Sequence, residues 1–216
     1  MKVPAHDRTV AFGIIPGQDV RPGDHIAYFW EAADEFDRGV QFLVAGLAGA
    51  DHCVVFGHDD ANERVLEVLR LQGVDVDRVQ RQGRLTVAGS ASTGDATLAN
   101  LGSIFQAAVD AGAPMIRLLG NIGWGKPGWP DEDDLLLFEA KVTSAAKAFP
   151  AVVVCMYDVQ TLSGRVIVNG GVATHGISVC GNMMRVNPYP ATVEATASRI
   201  RETSRRGPFD GRPRQA

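Results

Sequence analysis

The sequence predicts an α/β fold of three layers, a mostly parallel sheet with helices on both faces. Two observations carry this. Short apolar runs alternate with helical patterns of about 10–15 residues, which is the signature of βαβ units. The chain has 216 residues, a length that suits one α/β domain with short tails and can bury a substantial core.

The elements follow in order. Residues 1–22 read as an irregular lead-in, because Pro4, Gly13, Pro16, Gly17 and Pro22 are turn formers. An apolar strand follows at Ile26–Trp30. Asp34 can cap a helix whose apolar face is Phe36, Val40, Leu43, Val44 and Leu47. A buried strand reads at His52–Phe56. Asp60 can cap the next helix, with Val65, Val68 and Leu69 inward and Gly73 as its stop. Leu85–Val87 is a short strand, and Asp95 can cap a helix through Leu98, Leu101, Phe105 and Val109 to Gly112.

Pro114 opens a strand at Met115–Leu119. The acids Asp131–Asp134 suit a helix start, and Leu135, Phe138, Val142 and Phe149 mark its face before Pro150 stops it. Ala151–Tyr157 is the most strand-like run. Thr161–Val168 reads as a short helix broken by Gly170-Gly171, and Ile177–Val186 as one or two strands closing the sheet. Pro190 can open a last helix to about Ser204. The expected organisation is a lead-in over 1–22, one domain over 23–205, and a disordered basic tail over 206–216.

Composition narrows the function. A net charge of −4 argues against direct nucleic-acid binding and against an anionic membrane surface. The longest apolar stretches, near Phe42–Ala50 and Ala151–Tyr157, are too short to span a bilayer. No signal peptide is visible. Cys53, Cys155 and Cys180 are far apart and odd in number, so they read as reduced, mostly buried thiols in a cytoplasmic protein. Six arginines follow Ser198; such a run is usually a solvated end, and docking to an acidic partner is the sharper reading.

Parallel sheets bind ligands at the carboxyl ends of their strands. That directs attention to Glu31, His58, the loop Gly120–Pro130 and Asp158. Residues Gly120 to Lys126 match the spacing of a phosphate-binding loop, but Pro127 stands where a Ser or Thr should reach magnesium, and it lacks an N–H. The alternative is a glycine-rich loop presenting Trp124 and Trp129 over a cavity or a partner surface. Cys155, Asp158 and His175 suggest a thiol nucleophile with base and orienter, but Cys155 sits inside an apolar strand where a thiol is inert. No histidine pair shows metal-ligand spacing, so no metal or cofactor is expected. Arg117 lies in an apolar strand and, if buried, needs a carboxylate. Glu139 is the first choice, with Asp158 second and Glu31 a further candidate.

Several segments taken together resemble a known family. They are GDHIAYFWE (Gly23–Glu31), FLVAGLAGADHCVVF (Phe42–Phe56), IRLLGNIGW (Ile116–Trp124), LLLFEAKV (Leu135–Val142), VVCMYDV (Val153–Val159), ATHG (Ala173–Gly176) and NPY (Asn187–Tyr189). Their order and spacing resemble the MEDS domain, a DcmR-like sensory domain of methanogens and methylotrophs. The resemblance implies a RecA/KaiC-like core without a working Walker A loop, and the sensing of small organic compounds. The polar positions it carries over as ligand-binding are His25, Tyr28, Glu31, Arg117, Trp124, Glu139, Tyr157, Asp158 and His175. Asn121 stands where the family pattern usually has an acid, and Gly176 where it usually has proline. The first change removes one charge from the expected pocket.

The expected function is therefore a stand-alone small-molecule-sensing regulatory domain and not an enzyme. It would signal through a regulatory protein partner, with a homodimer as one assembly. The rivals are an interaction module without ligand and a divergent nucleotide-binding enzyme. The turn from Trp30 to Asp37 has no glycine to cradle a phosphate.

Overall fold

In the computed structural model, which describes residues 9–206, the chain opens with a small antiparallel ribbon, Val10–Ala11 (β1) and Asp19–Val20 (β2). Then follow β3 (His25–Trp30), α1 (Ala33–Ala48), β4 (His52–Gly57), α2 (Asp59–Leu71), α3 (Val76–Arg81), β5 (Leu85–Ala88), α4 (Gly94–Asp110) and β6 (Ile116–Asn121). The second half holds α5 (Glu132–Ala145), β7 (Ala151–Asp158), a π-helix at Val166–Val172, β8 (Ile177–Cys180), β9 (Met183–Val186) and α6 (Val193–Arg206). Seven strands form one sheet in the order β5-β4-β6-β7-β3-β8-β9, parallel throughout except for the β8–β9 pair.

The sheet separates two cores because strand side chains alternate between faces. On one face Ile26, Tyr28, Val55, Leu119, Val154 and Met156 pack with Phe36, Val40, Leu43, Val65 and Leu69 of α1 and α2. On the other, Ala27, Phe29, Phe56, Leu118, Val153, Cys155 and Tyr157 pack with Leu101, Phe105, Leu135, Phe138 and Val142 of α4 and α5. The α/β class, the parallel sheet and the two helical layers are thus as the sequence predicts.

The differences are local. The lead-in contributes Phe12, Ile14 and Val20 to the first core, and Gly13, at φ +85°, makes the turn that lets them reach it. Asp34, Asp60 and Asp95 fall inside the first turns of their helices and do not cap them. His58 Nδ1 accepts from the Ala61 N–H, and Thr93 Oγ1 from the Ala96 N–H, while Ala32 makes no side-chain cap. Helix α3, capped by Asp75, fills the stretch before β5 that the sequence left unassigned. Gly170-Gly171 does not break a helix. The pair lies within the π-helix, where a Cβ on Gly171 would sit 2.7 Å from the Phe29 ring. The expected tail from Gly207 lies outside the described residues.

Candidate functional site

A cleft of about 540 Å³ opens at the carboxyl ends of β3, β4, β6 and β7. Its walls include Trp30, Phe36, Ile122, Trp124, Met156 and Leu162, with His58, Arg64, Asn121, Lys126 and Asp158 as polar members. Mostly apolar walls with a few polar groups are what small-molecule sites have. Among the described residues, three donors on this wall are buried without a hydrogen bond: Trp30 Nε1, Trp124 Nε1 and Asn121 Nδ2. A buried donor left unpaired is costly; these three atoms are closed to solvent, so an acceptor in the cleft would meet them only after the side chain turns. Asp158 is already engaged, accepting from the Gln160 N–H and the Thr161 hydroxyl at 2.9 and 2.8 Å.

Behind the cleft lies a fully buried polar cluster of His25, Glu139, Cys155, Tyr157 and His175. β3 supplies His25, β7 supplies Cys155 and Tyr157, α5 supplies Glu139, and the segment after the π-helix supplies His175. The Tyr157 hydroxyl donates to Glu139 Oε1 at 2.6 Å. Glu139 Oε2 lies 3.2 Å from His25 Nε2, 3.6 Å from His175 Nε2 and 3.5 Å from Cys155 Sγ. Burial lowers both imidazoles to about 3, so they are neutral at physiological pH and form no ion pair with the carboxylate. Burial likewise raises Glu139, and it raises the Cys155 thiol and the Tyr157 phenol well above their usual values. Cys155 is therefore no thiolate nucleophile.

The cluster and the cleft touch. The Tyr157 and Trp124 ring centroids are 6.4 Å apart, and a Cβ on Gly170 would sit 3.4 Å from both the Trp124 ring and the Tyr157 oxygen. A separate apolar cavity of about 60 Å³ lies between the sheet and the helices α4 and α5, lined by Phe56, Leu101, Phe105, Phe138 and Cys155 among others.

The structure divides the predicted site residues into three groups. His25, Glu139, Tyr157 and His175 come together in the cluster, and Asn121, Trp124 and Asp158 line the cleft. The others lie elsewhere. Tyr28 is on the α1 face, its hydroxyl donating to the Glu35 carbonyl at 2.7 Å. Glu31 is exposed, its N–H donating to Glu35 Oε2.

Arg117 corrects the sequence reading. It does not pair with Glu139 or Asp158. Its Nε donates to Asp51 Oδ2 at 2.7 Å, and its Nη1 to the carbonyls of Ala11 and Phe42. The reason is alternation: Arg117 shares the α1 face with Met115 and Leu119, whereas Glu139 is on the helix that covers the opposite face. Arg117 also lies near the amino end of β6, away from the cleft.

The Gly120–Pro130 segment begins as strand through Asn121, and no helix starts until Glu132, six residues after Lys126. Lys126 Nζ lies 3.8 Å from Asp60 Oδ2, and Trp129 packs on Gly123 and on Phe56. Sequence reasoning placed Cys155 in the core but not in the site. The signal was available in strand parity, since Cys155 and Tyr157 are two positions apart and so share one face.

The family model described as "MEDS: MEthanogen/methylotroph, DcmR Sensory domain" matches residues 24–175. The chain is also 26% identical over 157 residues to the transcriptional repressor DcmR of Methylorubrum extorquens, an alignment that covers 72% of this chain and 59% of the repressor. No helix among the described residues is long and apolar enough to cross a membrane. The family match covers most of the chain, from the entry of β3 to the buried His175, and on that ground the chain belongs to the MEDS sensory domain family.

Proposed function

We propose that this protein is a cytoplasmic sensory domain that binds a small organic molecule in the cleft and passes the event to a regulatory protein partner. The observation that carries the reading is the cleft itself: about 540 Å³ of largely apolar wall at the carboxyl end of a parallel sheet, with Trp124 and Asn121 among the residues that line it. A neutral or weakly polar ligand with one acceptor would satisfy such a wall. The related protein is a transcriptional repressor, which supports a regulatory output.

The same reading takes the domain to be a RecA/KaiC-like core that does no nucleotide chemistry. Two features support this. Pro127 follows Lys126, and the helix of that segment starts too late to present its first N–H groups to a phosphate beside Lys126.

The test is a screen of small organic compounds by thermal shift, followed by tryptophan fluorescence. A compound that raises the melting temperature should also change Trp124 emission, and Trp124→Ala should weaken it at least tenfold. A confirmed ligand that binds Trp124→Ala and Asn121→Leu as tightly as the unaltered protein would place sensing elsewhere, with the apolar cavity beneath α4 next in line.

A further inference from the structure

We propose that His25, Glu139, Cys155 and His175 form a closed binding site for one divalent cation of the zinc type. One ligand atom from each residue lies within 4.8 Å of all the others. Four of the separations are 3.4 Å (His25 Nε2 to Cys155 Sγ), 3.2 Å (His25 Nε2 to Glu139 Oε2), 3.6 Å (His175 Nε2 to Glu139 Oε2) and 3.5 Å (Cys155 Sγ to Glu139 Oε2). A tetrahedral zinc site with bonds of about 2.0–2.3 Å has ligand-to-ligand edges of roughly 3.3–3.8 Å. Four of the six edges already stand near that spacing, and the other two lie within 4.8 Å.

The tautomers agree. His175 Nδ1 lies 3.0 Å from the Gly170 carbonyl, which can only accept, so the ring proton is on Nδ1 and Nε2 presents a lone pair. The Thr143 hydroxyl donates to the Thr174 carbonyl at 2.7 Å and so accepts from His25 Nδ1 at 2.8 Å. Both imidazoles therefore turn their lone pairs toward Cys155 and Glu139. Ring protons held by carbonyl or hydroxyl groups are the usual outer shell of metal-ligating histidines. Tyr157 fixes the fourth ligand by holding the other oxygen of Glu139.

Protons alone do not satisfy this centre. Two acidic hydrogens are available, on the Glu139 carboxyl and the Cys155 thiol. The thiol can serve His25 at 3.4 Å, but the carboxyl would have to serve His175 across 3.6 Å, beyond a hydrogen bond. His175 Nε2 is accordingly a buried nitrogen with no hydrogen-bond partner among the described residues. A divalent cation takes all four lone pairs at once. With thiolate, carboxylate and two neutral imidazoles the loaded site has zero net charge, which is what an enclosed apolar surrounding tolerates. Loading displaces the thiol proton, and the carboxyl proton if present, to solvent. Mixed N, S and O donors in a tetrahedron favour zinc over magnesium or calcium. Four protein ligands leave no open position, so the role is to hold β3, β7, α5 and the segment after the π-helix together and not to activate water.

The experiment uses the full chain made without a histidine tag in zinc- or cobalt-supplemented medium, so that the cation is present while the chain folds. The zinc protein should hold close to one equivalent after exhaustive dialysis. The cobalt protein should show a thiolate-to-cobalt charge-transfer band and the visible bands of a tetrahedral ion. Cys155→Ser should lose the charge-transfer band, while Cys53→Ser and Cys180→Ser keep it. Less than a tenth of an equivalent in the unaltered protein overturns the proposal, as does a band that follows Cys180. Should Cys155→Ser not fold, X-ray absorption on the unaltered zinc protein decides. One sulfur at about 2.3 Å with three nitrogen or oxygen neighbours at about 2.0–2.2 Å supports the site, and a shell without sulfur overturns it.

Discussion

Arg117 and Asp51 form a buried ion pair at the amino end of the sheet, Nε to Oδ2 at 2.7 Å, and the same guanidinium lies 5.1 Å above the Phe42 ring. Arg117 is 3% exposed, so its charge depends on this one carboxylate and two backbone carbonyls.

Removing one partner should leave the other charged and buried. Asp51→Asn and Arg117→Leu should each cost roughly 3–5 kcal/mol in urea unfolding, and Arg117→Lys should not restore the loss, because an ammonium cannot reproduce the fork. The double variant of Arg117 and Asp51 should show strong coupling. A double variant of Arg117 and Glu139 should be additive, since the two lie on opposite faces of the sheet.

Two helical glycines should respond in opposite directions to alanine. A Cβ on Gly46 in α1 would sit 2.5 Å from Arg117 Cδ and 2.9 Å from Cys53 Sγ, whereas one on Gly102 in α4 would meet nothing within 4 Å. Gly46→Ala should destabilise by displacing the guanidinium. Gly102→Ala should stabilise by about 0.4–1 kcal/mol through helix propensity and a stiffer unfolded chain. Paired thermal melts give both signs.

The lead-in should prove necessary. Phe12 is wholly buried and packs edge-on to Phe42 at 6.1 Å between centroids. Phe12→Ala should cost about 3–5 kcal/mol. A truncation that begins at Gly23 should melt well below the full chain, because it removes Phe12, Ile14, Val20 and the Ala11 carbonyl that Arg117 uses.

The three thiols should separate by reactivity. Burial pushes Cys53 up to about 12 and holds Cys155 well above the ordinary thiol value, while Cys180 is exposed. A raised thiol value means the protonated, unreactive form persists as the pH rises toward that value, so in the metal-free protein at pH 8 neither buried sulfur is a thiolate, and a cation on Cys155 would shield that sulfur as well. Iodoacetamide should modify one cysteine in the folded protein and three in urea, with mass spectrometry placing the first label on Cys180.

ATP hydrolysis should be absent. Magnesium-dependent phosphate release from ATP should not exceed a protein-free control, and Lys126→Ala should leave that result unchanged. Turnover that disappears with Lys126 would mean that the Gly120–Lys126 segment works as a phosphate loop after all.

Much of the fold was legible because the strands are short apolar runs set between helical patterns: Ile26–Trp30, His52–Phe56 and Ala151–Tyr157 fall within β3, β4 and β7. Helix starts were less legible, since an acid in the first turn looks like a cap from sequence; His58 and Thr93 hold the capping positions instead. The ribbon of β1 and β2 was hidden by turn formers that shape it. The cluster resisted a reading from spacing, because His25 and His175 are 150 residues apart and meet only through β3, β7 and β8 pairing. Arg117 was placed on the right face, but not matched to the helices that cover it.

Tyr157 stands between the enclosed cluster and the cleft, its ring beside the cleft residue Trp124 and its hydroxyl on Glu139. Thermodynamics makes such a link symmetric. If an occupant of the cleft shifts the ring and thereby changes the cluster's affinity for what it holds, the cluster's content must change the cleft's affinity by the same factor, since the four states close a cycle. A single titration run in either direction then measures the whole of the communication between them.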